Sequence, residues 1–261
     1  MKILYIAELV GKAGVYTFKK SLNELEERYK WDFLIVCAYG ATGGSGLGRS
    51  HAAYIHKLGA NVITLGDYCF YKKDLTENLD KTRFVLRPEN LNAETPGIGS
   101  HVYKAGTEKI AAAVFLGQNS FNRIHANNPI TALPGVLDRL RQQTPYIIVD
   151  FHAQASAEKK TFFYAADGLC SAVIGSHTRV QTADETIMSG GTACISDAGR
   201  TGSQTSVGGC DANSRIREYM TGIPDWTKEA WNDLEVQGVF LDIGKDGMAS
   251  AIERVKIKVE R

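Results

Sequence analysis

Short runs of consecutive apolar residues alternate along the chain with longer segments in which apolar residues recur at helical spacing. A continuous apolar run is typical of a strand buried on both faces, and apolar residues three or four positions apart indicate one face of a helix. FLIVCA at 33–38 shows the first pattern, and Leu22, Leu25 and Tyr29 show the second. These patterns predict strands at 2–7, 33–38, 61–65, 109–116, 146–151, 171–175 and 192–197, and helices at 15–30, 50–58, 71–80 and 131–142.

The last part of the chain has a different pattern. Apolar and polar residues alternate over 234–243 and 249–259, with a turn around Lys245-Asp246-Gly247 between them. Strict alternation predicts an antiparallel pair with one buried face. Because strands alternate with helices over the rest of the chain, we expect an α/β layer fold with a largely parallel core and an antiparallel end.

Composition narrows the class of protein. The 261 residues show no linker or composition break, so one domain over 1–261 is expected. With 30 Lys and Arg against 29 Asp and Glu, the net charge is +1. This charge gives no indication of a nucleic-acid-binding surface or of a polybasic membrane-binding surface. Five cysteines without CxxC spacing indicate reduced thiols and a cytoplasmic location, and no apolar run approaches the ~20 residues of a membrane span.

Polar residues gather after the predicted strands. In α/β folds the loops at the carboxyl ends of parallel strands meet at one edge, where ligands bind. Asn119 and Arg123 follow the strand that ends near Leu116 and are further candidates to face this edge. The loops with the clearest polar content lie at 8–11, 39–46, 66–68, 150–152 and 175–179.

One interpretation of these loops is a nucleotide-binding P-loop. Gly43–Ser50 (GGSGLGRS) fits G-x-x-x-x-G-K-[ST] except at Arg49, between a predicted strand and a predicted helix. Asp150, at the end of YIIVD, would then be the magnesium-binding carboxylate. Arginine does not replace the slim charge of lysine, so a glycine-rich turn is the simpler interpretation, and the P-loop stays a weaker alternative.

A second interpretation is a metal site. His152 and His177 each lie at the end of a predicted strand. With the carboxylates of Glu8 and Asp67 they form a histidine and carboxylate set of the kind that binds divalent metals.

Three stretches carry a family resemblance. DFHAQASAEK at 150–159, GSHTRVQTAD at 175–184 and SDAGRTG at 196–202 resemble signature stretches of the bacterial calcineurin-like metallophosphoesterases called YmdB-like. The resemblance implies a four-layer α/β/β/α sandwich of two sheets between helices. It also implies a two-metal site that hydrolyses cyclic or other phosphodiesters, in cytoplasmic oligomers.

The resemblance places the family's metal site at eight positions, of which four hold a ligand or a plausible substitute. His152 and His177 are unchanged. Glu8 stands where the family has Asp, and Asp67 where it has Asn. Asp67, His152 and His177 therefore make a set of two histidines and one carboxylate, with Glu8 as a further candidate ligand.

The other four positions hold poor substitutes. The family's Glu-Asn pair, whose Glu bridges both metals, is Tyr39-Gly40 here. Its proton-donating histidine is Tyr68, and its last histidine is Arg179. The catalytic residues therefore stay unassigned, because these four metal-site positions, among them that of the family's proton donor, are altered.

The charge of Arg179 decides what the site can hold. Two-metal hydrolysis needs two cations about 3.5–4 Å apart. A guanidinium at about 4 Å from a divalent ion is repelled by roughly 8 kcal/mol at an effective dielectric of about 20, twice the value for unit charges. We therefore expect the first metal to be absent, with Arg179 paired to Glu8 in its place, and at most one divalent ion (Zn, Fe or Mn), or none, at the second position.

The sequence thus predicts a catalytically impaired or inactive phosphodiesterase homologue that acts as a binding or scaffold protein. Arg179 would bind a phosphate-containing small molecule, since guanidinium matches phosphate geometry. The alternative is an active phosphodiesterase that uses one metal at Asp67, His152 and His177, with Arg179 replacing the other ion. A homo-oligomer is expected, and Trp226 and Trp231 are candidates for its interface or for core packing.

Overall fold

The computed structural model describes residues 1–225 and 228–260. Trp226 lies outside the described residues, and Trp231 is half-buried with its ring 5.9 Å from that of Tyr16. The helices and strands in chain order are β1 (Lys2–Ile6), β2 (Glu8–Leu9), α1 (Gly11–Tyr29), β3 (Phe33–Cys37), α2 (Arg49–Lys57), β4 (Val62–Thr64), α3 (Lys73–Thr76), β5 (Val85–Leu86), β6 (Ser100–Ala105), β7 (Glu108–Leu116), α4 (Pro129–Arg141), β8 (Ile147–His152), α5 (Ser156–Ala166), β9 (Ala172–Ser176), β10 (Thr186–Ile187), β11 (Ala193–Ile195), β12 (Arg200–Ser203), α6 (Ala212–Thr221), β13 (Leu234–Ile243) and β14 (Ala249–Val259).

The strands form two sheets. Within the described ranges the first has the order β2-β12-β13-β1-β3-β4-β5, with β14 also paired to β13, and the second has the order β10-β11-β9-β8-β7-β6. Strands β1, β3, β4 and β5 are parallel, as are β7, β8, β9 and β11. The predicted C-terminal pair is confirmed, because β13 and β14 are antiparallel along their whole length.

Each sheet is covered on both faces, which explains the continuous apolar runs. In β7 the side chains of Ala112 and Val114 belong to the larger core cluster between the sheets, whereas Ala113 and Phe115 face the cluster under α4 and α5. Helices α1 and α2 cover the outer face of the first sheet. The four-layer α/β/β/α sandwich implied by the resemblance is therefore confirmed.

Several elements differ from the predicted pattern. The helix predicted at 71–80 is only the short α3 followed by a 3-10 turn at Leu79–Lys81. Helix α6 was not predicted, although Ile216, Tyr219 and Met220 recur at helical spacing; these side chains are exposed, and Ser214 is the buried residue of the helix. The helix begins after Asp211, whose carboxylate accepts the Ser214 N–H at 2.9 Å. None of the helices in the described ranges is long and apolar enough to cross a membrane.

Candidate functional site

Loops from both sheets meet at one end of the sandwich. Glu8 lies in β2, just beyond β1, and Asp67 follows β4 in the first sheet. His152 is the last residue of β8, and His177 directly follows β9 in the second sheet. The strand order brings these side chains together, and Arg179 joins them from the loop after β9.

Asp67, His152 and His177 form a compact triad. Asp67 Oδ1 lies 3.0 Å from His152 Nε2, which lies 3.1 Å from His177 Nδ1. The distance between Asp67 Oδ1 and His177 Nδ1 is 4.0 Å. Zinc–nitrogen bonds are about 2.0–2.1 Å long, so two ligand atoms at a right angle on one ion lie about 3.0 Å apart. The triad therefore has the chemistry and the spacing to hold one divalent ion.

A hydrogen-bond network behind His152 sets the tautomer of its ring. The Asp150 carboxylate is buried and accepts the hydroxyls of Tyr5 (2.6 Å), Thr64 and Ser176 (2.7 Å). Since the single hydroxyl proton of Ser176 goes to Asp150, its oxygen accepts from His152 Nδ1 at 3.0 Å.

In the neutral imidazole, His152 Nε2 therefore carries no proton and points its lone pair into the triad. There it lies beside the carboxylate of Asp67, which also only accepts. Two acceptors 3.0 Å apart need a metal ion or a proton between them. Sequence reasoning missed the roles of Tyr5, Thr64 and Ser176, although a hydroxyl within an otherwise apolar strand is a usable signal.

The other two members of the triad also favour their unprotonated forms. Burial and the neighbouring His152 together lower the pKa of His177 to about 3. Burial alone raises the pKa of Asp67, but a proton between Asp67 and His152, through its hydrogen bond and charge, brings that pKa below its ordinary value. A neutral imidazole and an ionised carboxylate are the forms that bind metals.

Arg179 forms the expected pair with Glu8. Its Nε and Nη2 donate to Glu8 Oε2 and Oε1 at 2.8 and 2.7 Å, and the Glu8 side chain is 1% exposed. Burial by itself lowers the pKa of Arg179, but the oxygens of Glu8 and Tyr39 raise it well above its ordinary value. The guanidinium is therefore a permanent cation in contact with the carboxylate of the first strand end.

Two backbone carbonyls accept further hydrogen bonds from the Arg179 guanidinium. Nη1 donates to the Gly208 carbonyl and Nη2 to the Gly44 carbonyl, each at 3.0 Å. Four of the five N–H groups are thus engaged, and one on Nη1 has no acceptor among the described residues. In this conformation Arg179 offers a ligand one hydrogen bond rather than a two-pronged contact.

Tyr39 and Gly40 fit around this ion pair. The Arg179 guanidinium lies over the Tyr39 ring, 5.5 Å from its centroid, and the Tyr39 hydroxyl donates to the His177 carbonyl at 3.2 Å. Burial raises the pKa of Tyr39 well above its usual value, so its phenol stays neutral. A Cβ on Gly40 would lie 2.1 Å from Glu8 Oε1, so the pair as placed requires glycine there.

Two clefts open beside the triad, and Tyr68 and His177 line both. One, of about 450 Å³, is also lined by Tyr39, Arg179 and Gln154. The other, of about 300 Å³, is lined by Asp67, Phe121 and Arg123, among others. Burial raises the pKa of Tyr68, so this residue presents a neutral phenol to both clefts.

The structure does not support the P-loop interpretation. The Gly48 N–H donates to Thr42 Oγ1 at 2.8 Å, and the Arg49 N–H donates to Asp74 Oδ2 at 2.9 Å. Side chains of this chain therefore use the amides that would cradle a phosphate. Asp150 points away from that loop, into the network behind His152.

Comparison with known proteins gives the same fold and identifies the family. A family model described as YmdB-like protein matches residues 4–255. The 2',3'-cyclic-nucleotide 2'-phosphodiesterase of Bacillus subtilis is 33% identical over 258 residues, covering 98% of this chain and 97% of that protein.

Two crystal structures superpose over almost the whole chain. One, described as a novel phosphatase from Mycoplasma pneumoniae, has a TM-score of 0.91 at 30% identity and covers 99% of this chain and 93% of that one. The other, a hypothetical protein from Thermus thermophilus, has a TM-score of 0.88 at 27% identity and covers 99% of each chain.

Proposed function

The chain belongs to the YmdB-like protein family, and we propose that it is a phosphodiester-binding member whose two-metal hydrolysis is impaired or lost. It would hold at most one divalent ion (Zn, Fe or Mn) on Asp67, His152 and His177. The ligand would be a phosphate-containing small molecule. A relative supports a phosphate-containing ligand, because the similar Bacillus subtilis protein is named a 2',3'-cyclic-nucleotide 2'-phosphodiesterase.

The observation that carries the proposal is the buried ion pair between Arg179 and Glu8. Glu8 is the carboxylate that the family resemblance assigns to the first metal, and both its oxygens accept from Arg179. A second cation at this carboxylate would have to displace or face the guanidinium, with a repulsion of roughly 8 kcal/mol at about 4 Å. The neutral phenol of Tyr39 supplies no negative charge to offset that repulsion.

The triad, Arg179 and Tyr68 would each contribute one interaction with a phosphate-containing ligand. A divalent ion on the triad would polarise a phosphoryl oxygen. His152 is held by Ser176 with Nε2 free to bind it, and the remaining Nη1 hydrogen of Arg179 is available to a phosphate oxygen in the larger cleft. Tyr68 offers a neutral hydroxyl to the same ligand, but it is a weaker acid than a protonated histidine at pH 7.

A one-metal phosphodiesterase is the second candidate function, and the geometry of the triad favours it. All the ligand atoms of Asp67, His152 and His177 lie within 4.8 Å of one another. The fixed charge of Arg179 would then do part of the electrostatic work of the other ion on the phosphoryl group.

Metal analysis and a substrate screen separate these functions. Protein purified without chelator is expected to contain at most one Mn, Fe or Zn ion per chain and to show little turnover of bis-p-nitrophenyl phosphate or 2',3'-cyclic nucleotides. Two ions per chain would contradict the proposal. Turnover with one ion that disappears in His152→Ala would establish the one-metal enzyme instead.

A further inference from the structure

The loop that carries His177 and Arg179 has an unusual backbone. His177 has φ of 105° and Arg179 has φ of 60°, with Thr178 between them. Residues other than glycine rarely adopt positive φ, and such a conformation persists only when its surroundings hold it. The direction of the His177 ring therefore depends on whatever fixes this loop.

Side chains from two other segments, at Tyr39 and at 197–200, hold the peptide groups of the loop. The Tyr39 hydroxyl donates to the His177 carbonyl at 3.2 Å, and Arg200 Nη1 donates to the Arg179 carbonyl at 2.6 Å. Between them, Asp197 Oδ2 accepts the Thr178 N–H at 2.8 Å. All three of these side chains are buried.

Asp197 is itself held by a lysine. Lys159 Nζ donates to Asp197 Oδ2 at 3.0 Å, and the two side chains are 2% and 1% exposed. The other carboxylate oxygen accepts the Gly199 N–H at 2.9 Å. Lys159 lies on α5, which follows the strand of His152, so this pair connects both histidine-bearing strands to the segment after β11.

A buried ion pair of this kind is weak evidence for stability. Removing two charges from water costs nearly as much as their attraction returns, and well-packed apolar pairs often replace them without loss. The hydrogen bond to Thr178 gives this pair a different task. It presents a carboxylate acceptor to the Thr178 N–H, which follows the first of the two positive-φ residues.

We propose that Lys159 and Asp197 form a positioning pair that fixes the Thr178 peptide and thereby directs the His177 imidazole toward Asp67 and His152. This inference rests on the proposed metal-binding function of Asp67, His152 and His177. Neither residue touches the triad, so they act through the loop.

The test compares this pair with its neighbour. Lys159→Met/Asp197→Asn removes both charges together and avoids an unpaired buried ion. Lys160→Met/Asp184→Asn removes the adjacent exposed pair, which also bonds Ser196 and makes no contact with the 177–179 loop. The readouts are Zn²⁺ affinity, by competition with a chelating dye, and amide hydrogen exchange at Thr178 in the metal-free protein.

The first double variant is expected to bind Zn²⁺ about 10–100-fold more weakly, the range found for partners of metal ligands, and to exchange the Thr178 amide faster. The control variant should change affinity less than about twofold. If the first variant does not fold, Asp197→Glu keeps the charge pair and moves the acceptor, and the same loss of affinity is expected.

Unchanged Zn²⁺ affinity and unchanged Thr178 exchange in a folded variant would overturn the positioning role. Failure of the unmodified protein to bind Zn²⁺ would instead overturn the proposed function on which this role rests.

Discussion

The guanidinium of Arg179 and the carboxylate of Glu8 meet through two parallel hydrogen bonds of 2.8 and 2.7 Å at the end of the first strands. Each residue alone would be a poor occupant of this buried position. Together they neutralise each other and fill the place that the family resemblance gives to a metal and its ligand. The proposed limit of one metal ion at this site depends on this pair.

Breaking the pair on one side is expected to be costly. Arg179→Met leaves the Glu8 carboxylate buried and unpaired, and should lower the free energy of unfolding by about 3–5 kcal/mol. Glu8→Gln/Arg179→Met should recover most of that loss, because no charge is stranded. Urea denaturation of Arg179→Met, Glu8→Gln and the double variant measures the coupling energy between the two residues. Additive changes in the free energy of unfolding would contradict the pairing.

Restoring the family residues should restore hydrolysis. The variant Glu8→Asp/Tyr39→Glu/Gly40→Asn/Tyr68→His/Arg179→His supplies the bridging carboxylate, the imidazole acid and the missing ligand. We expect it to bind two Mn²⁺ ions per chain and to hydrolyse bis-p-nitrophenyl phosphate at least 100-fold faster than the unmodified protein.

The matched control for this gain of function keeps Arg179 and Gly40, which must stay glycine beside the guanidinium, and makes the other three changes. The retained guanidinium should prevent binding of the second ion, and turnover should stay near that of the unmodified protein. Equal activity in the two variants would show that Arg179 does not limit catalysis.

The hydroxyl of Ser176 is expected to matter for metal binding beyond its effect on stability. Ser176→Ala leaves His152 Nδ1 without its acceptor and costs about 1–3 kcal/mol of stability. Loss of the fixed tautomer should also weaken Zn²⁺ binding about 10–100-fold. Ser250→Ala, at an exposed hydroxyl on β14, is the control for both measurements. Nitrogen-15 chemical shifts of His152 should show Nδ1 protonated in the unmodified protein and a mixture of tautomers in Ser176→Ala.

Asp184 should make stability depend on acid pH. Burial alone raises the pKa of this carboxyl, but the hydrogen bonds from Lys160 and Ser196 lower it well below the ordinary value. A carboxyl with a depressed pKa stabilises the folded state above its unfolded pKa of about 3.9, and that stabilisation is lost as the pH falls below it.

The difference in urea midpoint between the unmodified protein and Asp184→Asn should therefore be largest at pH 5 and above, and shrink between about pH 4 and pH 2. Lys2→Ala, at an exposed residue of β1, should show no such pH trend. A difference that stays constant over this range would mean that Asp184 acts through packing alone.

Much of the fold could be predicted from the apolar pattern. The runs that became β3, β7 and β8 are continuous because both faces of each strand are covered. Helix α6 was missed although Ile216, Tyr219 and Met220 recur at helical spacing; the structure leaves this apolar stripe exposed instead of packing it on the core. The edge strand β6 was missed because it is half-buried along most of its length.

The site, like the fold, has a part that could be predicted from the sequence and a part that could not. His152, His177, Asp67 and the pairing of Arg179 with Glu8 followed from motif positions, and the structure brings them together. The roles of Ser176, Asp150 and Asp197 depend on hydrogen bonds between segments far apart in the chain. No spacing rule encodes such contacts, so they needed the structure.

The close approach at Gly40 has a consequence for how this sequence can change over time. Any side chain at position 40 collides with the Glu8 carboxylate as Arg179 now holds it, and a smaller residue at 179 strands that carboxylate. Positions 8, 40 and 179 are therefore coupled: a side chain at 40, or a smaller residue at 179, should destabilise the protein until the other positions are exchanged as well. A route through single substitutions should thus pass through less stable intermediates.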